Sequence, residues 1–61
     1  ESYELLKGVD ETVDLSYALK RIGTTYLTNE RQFYVENYPN LVNEKAHIDD
    51  LMEYMIKGET I

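Results

Sequence analysis

The sequence predicts an all-α fold, a single small domain over residues 1–61 built of three to four short helices. Two apolar patterns and the overall length lead to this expectation. Residues 46–57 carry Ile48, Leu51, Met52, Met55 and Ile56 at the i, i+3, i+4, i+7, i+8 spacing of one helical stripe. Leu15, Ala18, Leu19, Ile22 and Tyr26 repeat a similar spacing upstream. A chain of 61 residues is one domain. Domains of this size bury only about 60% of their unfolded surface, so a stripe of this kind needs the rest of the chain or a partner to cover it.

The elements follow in order. Residues 1–7 have helical composition, with Tyr3 and Leu6 three apart, and Gly8 suits the left-handed stop position. Asp10 is a good N-cap, and Glu11 behind it suits the positive start of a helix. A second helix is expected from Glu11 to about Leu27, bent or ended near Gly23-Thr24-Thr25, where a glycine costs about 1 kcal/mol relative to alanine and β-branching stiffens the chain. Asn29 with Gln32 reads as a capping box. Residues 32–38 then form a short helix or turn that Pro39 closes. Phe33-Tyr34-Val35 also favours a strand, but a lone strand would have no partner in such a fold. Asn43 can cap the last helix, residues 46–57. Lys57 in its last turn and Gly58 behind it end it, and Glu53 precedes Lys57 by the favourable four residues.

Composition narrows the function classes. Twelve acidic residues oppose six basic ones, a formal charge of −6. Nucleic-acid binding is dominated by neutralising phosphates, so direct contact with nucleic acid is not expected, nor is an anionic membrane. A helix-turn-helix DNA binder needs a basic recognition helix, and no stretch here supplies one. The natural partner is a basic protein surface. Six tyrosines suit an interface, because each joins apolar area to a hydroxyl. The absence of cysteine removes thiolate sites and disulfides and fits a reducing, cytoplasmic setting. No apolar run approaches the roughly 20 residues of a membrane span.

Chemistry-bearing patterns are sparse. Glu44 and His47 form a Glu-x-x-His, half of a carboxylate-bridged metal motif, without the further carboxylates such a site needs. His47 has no nucleophile at a fixed spacing. The expectation is no enzyme, no metal and no cofactor. Asp49, Asp50 and Glu53 make an acidic patch on the last helix, solvated or turned to a basic partner. Lys20-Arg21 is the only adjacent basic pair, set beside the apolar stripe rather than within it.

Two segments resemble the omega subunit of bacterial RNA polymerase. Leu5-Leu6 followed by Tyr17-Ala18-Leu19-Lys20-Arg21-Ile22 is similar to that family's leucine-rich first helix and Ala-Ala-Lys-Arg-Ala core. Glu44-Lys45-Ala46, then Leu51-Met52-Glu53-Tyr54 and Gly58, is similar to its Glu-Lys-Pro, terminal helix and glycine. Order and spacing agree over roughly two thirds of the chain. Gly23-Thr24 replaces the family's Arg-Gln, Ala46 its proline and Asp50 its helix alanine. The resemblance implies a non-catalytic subunit that clamps the largest polymerase subunit and assists its assembly, with Lys20, Arg21 and Glu53 as matched contacts. Without it, the reading is a protein-interaction module, or a small acidic inhibitor or antitoxin, in one form a DNA mimic, that covers a basic surface. Self-association is a further expectation. The partner-facing set is Lys20, Arg21, Tyr17, Asp49, Asp50 and Glu53.

Overall fold

The structure, a computed structural model, describes residues 2–61. Among them are five strands and two helices: β1 (Glu4–Lys7), β2 (Ala18–Ile22), β3 (Thr25–Thr28), α1 (Arg31–Asn37), β4 (Val42–Lys45), α2 (Ile48–Lys57) and β5 (Glu59–Thr60). The strands form one antiparallel sheet in the order β4-β1-β3-β2-β5. The expected all-α fold is therefore wrong. Among the expected helices, those at residues 32–38 and 46–57 are found, as α1 and α2.

The error has a local cause. Gly23 sits at φ +64, and among the described residues no non-glycine has positive φ. Ile22 pairs with Thr25 across a two-residue loop, so Gly23-Thr24 is a type II′ hairpin turn, whose twist suits antiparallel strands. The span expected as a helix from Glu11 to Leu27 is instead a connection, residues 8–17, followed by the β2–β3 hairpin. Its apolar residues recur at helical spacing by coincidence. The threonines and Tyr26, which fit a pleated surface, mark the hairpin. Of the first expected helix, residues 1–7, Glu4–Lys7 form β1, and residue 1 lies outside the described residues. Leu5 and Leu6, adjacent and both buried, point to opposite faces of the sheet, which a helix could not arrange.

Both faces of the sheet are covered. On one, Leu5 and Leu27, which pair across β1 and β3, meet Ala46 and Tyr54, with Tyr3, Ile22 and Leu51 packed around them. α2 lies on this face. The opposite face holds Glu4, Leu6 and Thr28. There α1 and the 8–17 connection pack. The Arg31 guanidinium on α1 lies 3.3 Å from the buried Glu4 carboxylate. The Tyr34 hydroxyl donates to the Asp14 carbonyl at 2.7 Å, and the Asp14 N–H donates to the Tyr38 hydroxyl at 2.8 Å. Thr28, fully buried, donates to the Tyr17 carbonyl at 2.7 Å and accepts from the Glu30 N–H at 3.0 Å. Both hydroxyl functions are thus satisfied, and the cap expected from Asn29 is not used: Glu30 is the N-cap residue of α1.

α2 begins two residues later than expected, at Ile48. Its start is held by Asp50, whose carboxylate accepts from the His47 N–H at 3.0 Å. It ends at Gly58, not through a left-handed stop but at φ −69. A Cβ there would clash with the Tyr54 carbonyl and sit 3.1 Å from the Lys20 Cβ. The glycine is required first by the Tyr54 carbonyl of its own helix and second by the approach of β2.

Candidate partner-binding surface

The orientation of α2 is the feature that matters most. Ten residues at 3.6 per turn divide it into a face that carries Tyr54, 5% exposed, and an opposite face. That opposite face is the apolar stripe itself: Ile48 is 74% exposed, Met52 57%, Met55 75% and Ile56 78%. Four of the five residues of the stripe expected as the core point to solvent, and only Leu51 is half-buried. Tyr54 and the half-buried Leu51 anchor the helix instead. Tyrosine can do this because its ring fills the core, and burial pushes its phenol pKa up. A helix apolar on both sides gives two ways to face the sheet, and the larger Tyr54 ring takes the inside.

The stripe has two unlike flanks. On one, Asp49, Glu53 and Lys57 lie exposed at successive one-turn steps. On the other, a groove of about 260 Å³ opens between α2 and the sheet, lined by Tyr3, Leu19, Lys20, Leu27, Leu51 and Met55. Leu19 reaches it because the β2–β3 register slips there: Ala18 pairs with Thr28 and Lys20 already with Leu27. The extra residue is a β-bulge, a common device for re-aiming a side chain.

The residues expected from sequence to meet a partner are scattered over this frame. Asp49 and Glu53 stand on the flank. Asp50 is half-buried and occupied in capping α2. Lys20 lines the groove, its Nζ 3.3 Å from the Thr60 hydroxyl. Arg21, next along the strand, points through the other face of the sheet, where it pairs with Glu59 and donates to the Gly23 carbonyl at 3.0 Å. The two cations therefore cannot act as one contact. Tyr17 is distant again, half-exposed against Phe33 with ring centroids 4.6 Å apart. His47 precedes α2, while Glu44 lies on β4 and pairs with Lys7 at 2.9 Å. The Glu-x-x-His spacing thus does not fall on one helix.

Sequence reasoning missed the outward role of Ile48, Met52, Met55 and Ile56 and the groove residues Tyr3 and Leu19. One signal was present: Tyr54 lies outside the stripe, and a helix with aromatic area opposite its apolar stripe has a choice of faces.

A second recess of about 280 Å³ lies at the other end of the molecule, lined by Gly8, Asp10, Thr12, Val13, Asn37, Tyr38, Pro39, Asn40 and Leu41. Its one ionisable carboxylate is already engaged. Asp10 accepts from the Thr12 hydroxyl and N–H, and these bonds hold its pKa below the usual carboxylate value. Asp14 is lowered in the same way by Ser16. Both are turns closing on themselves.

No family model, curated protein or solved structure matches the chain. The segments that carry the resemblance to omega, around Leu5-Leu6 and Tyr17–Ile22, lie in and beside β1 and β2, and only the terminal segment is a helix. Among the described residues no helix is long and apolar enough to cross a membrane.

Proposed function

We propose that this chain is a non-enzymatic protein-interaction module that covers a basic partner surface with the outward stripe of α2. The observation that carries the reading is the exposure of four large apolar residues on one helix face while the same helix is anchored by Tyr54. Contiguous apolar area of this kind marks interaction sites in soluble proteins. Methionine, flexible and polarizable, suits an adaptable contact. The acidic flank and the net charge of −6 select a cationic counterpart and speed its approach. This is the acidic-inhibitor class of function as much as the accessory-subunit class, since both demand the same surface.

The test is affinity capture with the chain and with a Met52→Glu/Met55→Glu variant as parallel baits. Both positions are exposed, so the variant keeps its fold. The expected result is a basic protein retained by the unmodified bait, lost with the variant, and bound in a salt-dependent way when both components are pure. Equal capture by the two baits overturns the reading.

A further inference from the structure

Resting on that reading, we infer that the element received by α2 is a basic amphipathic helix, seated with one large apolar side chain in the groove between α2 and the β2 bulge. Three observations lead there.

The first is the shape of the surface. The stripe runs the ten residues of α2, about 15 Å, and is bordered along one side by the groove. A partner helix laid along such a ridge presents anchors at i, i+3 or i+4 and i+7. The groove, about 260 Å³, has room for one large residue: an apolar cavity of about 150 Å³ already holds a benzene ring.

The second is the state of the neighbouring sheet edge. An extended peptide would need a row of free backbone groups beside the groove. β5 already pairs with Lys20 and Arg21, and the remaining part of β2 carries the bulge at Leu19. A bulge interrupts the ladder and bends the strand. Strand addition is therefore disfavoured here, and a helix, whose backbone bonds are internal, is not.

The third is charge. Asp49 and Glu53 stand four residues apart beyond Ile56, with the exposed Lys57 ending the same row; the two acids are about 6 Å apart along the helix axis, the same rise that separates cations at i and i+4 on a partner helix. Lys20, across the groove, is turned back to Thr60. A second copy of the chain would bring acid against acid, at a charge of −6 each.

The experiment uses a fluorescein-labelled synthetic helix of leucine and lysine, about 18 residues or five turns long, with leucine at helical period. Two companions are a peptide of the same composition with leucine and lysine alternating, and a helical leucine–glutamate peptide. Binding to the intact chain is followed by fluorescence anisotropy at low salt. The expected result is micromolar binding of the leucine–lysine helix, weakened at least about tenfold, or about 1.4 kcal/mol, by alternation and by Met55→Glu. The leucine–glutamate helix does not bind the unmodified chain. Circular dichroism confirms that each variant is folded. The double change Asp49→Lys/Glu53→Lys inverts the preference, so that the leucine–glutamate helix becomes the better ligand. Equal binding of the alternating peptide overturns the inference, as does indifference to Met55→Glu. So does a stable dimer, seen by sedimentation and broken by Met55→Glu. If capture is lost with the Met52→Glu/Met55→Glu bait while the peptide helix fails to bind, the stripe remains the binding surface and only the helical occupant is discarded. If capture is indifferent to that variant, the broader reading falls as well.

Discussion

Tyr54 and Met55 are neighbours in sequence with opposite fates, and truncating each to alanine tests the orientation of α2 directly. Tyr54 is 5% exposed in the cluster with Leu5, Leu27 and Ala46, whereas Met55 is 75% exposed. Removing a buried aromatic ring costs about 3–5 kcal/mol, the lost transfer free energy plus the cavity left behind. At about 0.05–0.15 kcal/mol per residue, 61 residues give a total stability of about 3–9 kcal/mol. Tyr54→Ala therefore removes a third of the stability at least, and can remove all of it. In a domain this small each kcal/mol moves the melting midpoint by about 4–8 °C, so a fall of more than about 12 °C is expected. Met55→Ala removes side-chain area that water already reaches, and belongs with surface substitutions, within about 0.5 kcal/mol. The assay is thermal and urea denaturation followed by circular dichroism, with matched slopes in urea. A loss near 3 kcal/mol for Met55→Ala together with a small one for Tyr54→Ala would mean that the stripe faces inward, and would refute both the orientation and the binding surface built on it.

Gly58→Ala should cost about 1–3 kcal/mol, the range for forced overpacking, because the added Cβ meets the Tyr54 carbonyl and Lys20; urea denaturation measures it, and a neutral result would show that the chain leaves the end of α2 by a different path. Gly23→Ala should cost about 1–2 kcal/mol for a different reason, since nothing lies within 4 Å of its Cβ and only the positive φ is at fault; D-alanine at the same position should restore stability, and an equal loss with both enantiomers would count against the II′ turn. Burial raises the phenol pKa of Tyr34 and Tyr54 above the ordinary value of about 10. The stability linked to keeping them neutral is complete below pH of about 10 and lost as pH climbs through the folded-state values, so tyrosinate absorbance should rise together with loss of the circular dichroism signal; ionisation of every tyrosine at the ordinary pKa without unfolding would contradict this. Finally, Lys20→Ala takes a cation out of the groove wall and should tighten capture of a basic partner, whereas Arg21→Ala, on the opposite face of the sheet, should leave it unchanged, while each alters stability by less than about 1 kcal/mol as exposed polar contacts do; equal effects on capture would reject the assignment of the groove.

The parts of the fold legible in the sequence were those with a local signature. Pro39 behind Tyr38 closed α1, and Gly58 with Lys57 placed the end of α2. What misled was a periodicity read without its competitor: Leu15, Ala18, Leu19, Ile22 and Tyr26 match a helical stripe, while Gly23-Thr24 between β-branched residues matches a hairpin. The sheet pairing of β1 with β3 decides between them, and that contact joins residues twenty or more apart. At the candidate site Asp49 and Glu53 were visible as an exposed acidic pair. The stripe beside them was visible too, but its direction was not, because a helix with apolar area on both sides does not declare which one the sheet will take. Asp50 illustrates a smaller ambiguity, an acid that looks free in the sequence and is used by the backbone of His47.

The strand order also fixes how firmly each part of the molecule is held. Only β2 and β3 are joined by a two-residue turn; every other pairing closes a longer loop, at an entropic cost that grows slowly with its length. β1 and β3 sit in the middle of the sheet with a partner on each side, while β4 and β5 are its edges and have one each. α2 is the link between those two edges. The proposed binding surface is thus carried by a segment flanked by the least protected strands, and amide hydrogen exchange should be slowest at Leu5, Leu6 and Leu27 and faster through β4, α2 and β5. Local openings of native proteins arise in such peripheral units, so the expected first opening frees α2 while the central β1–β3 ladder stays closed.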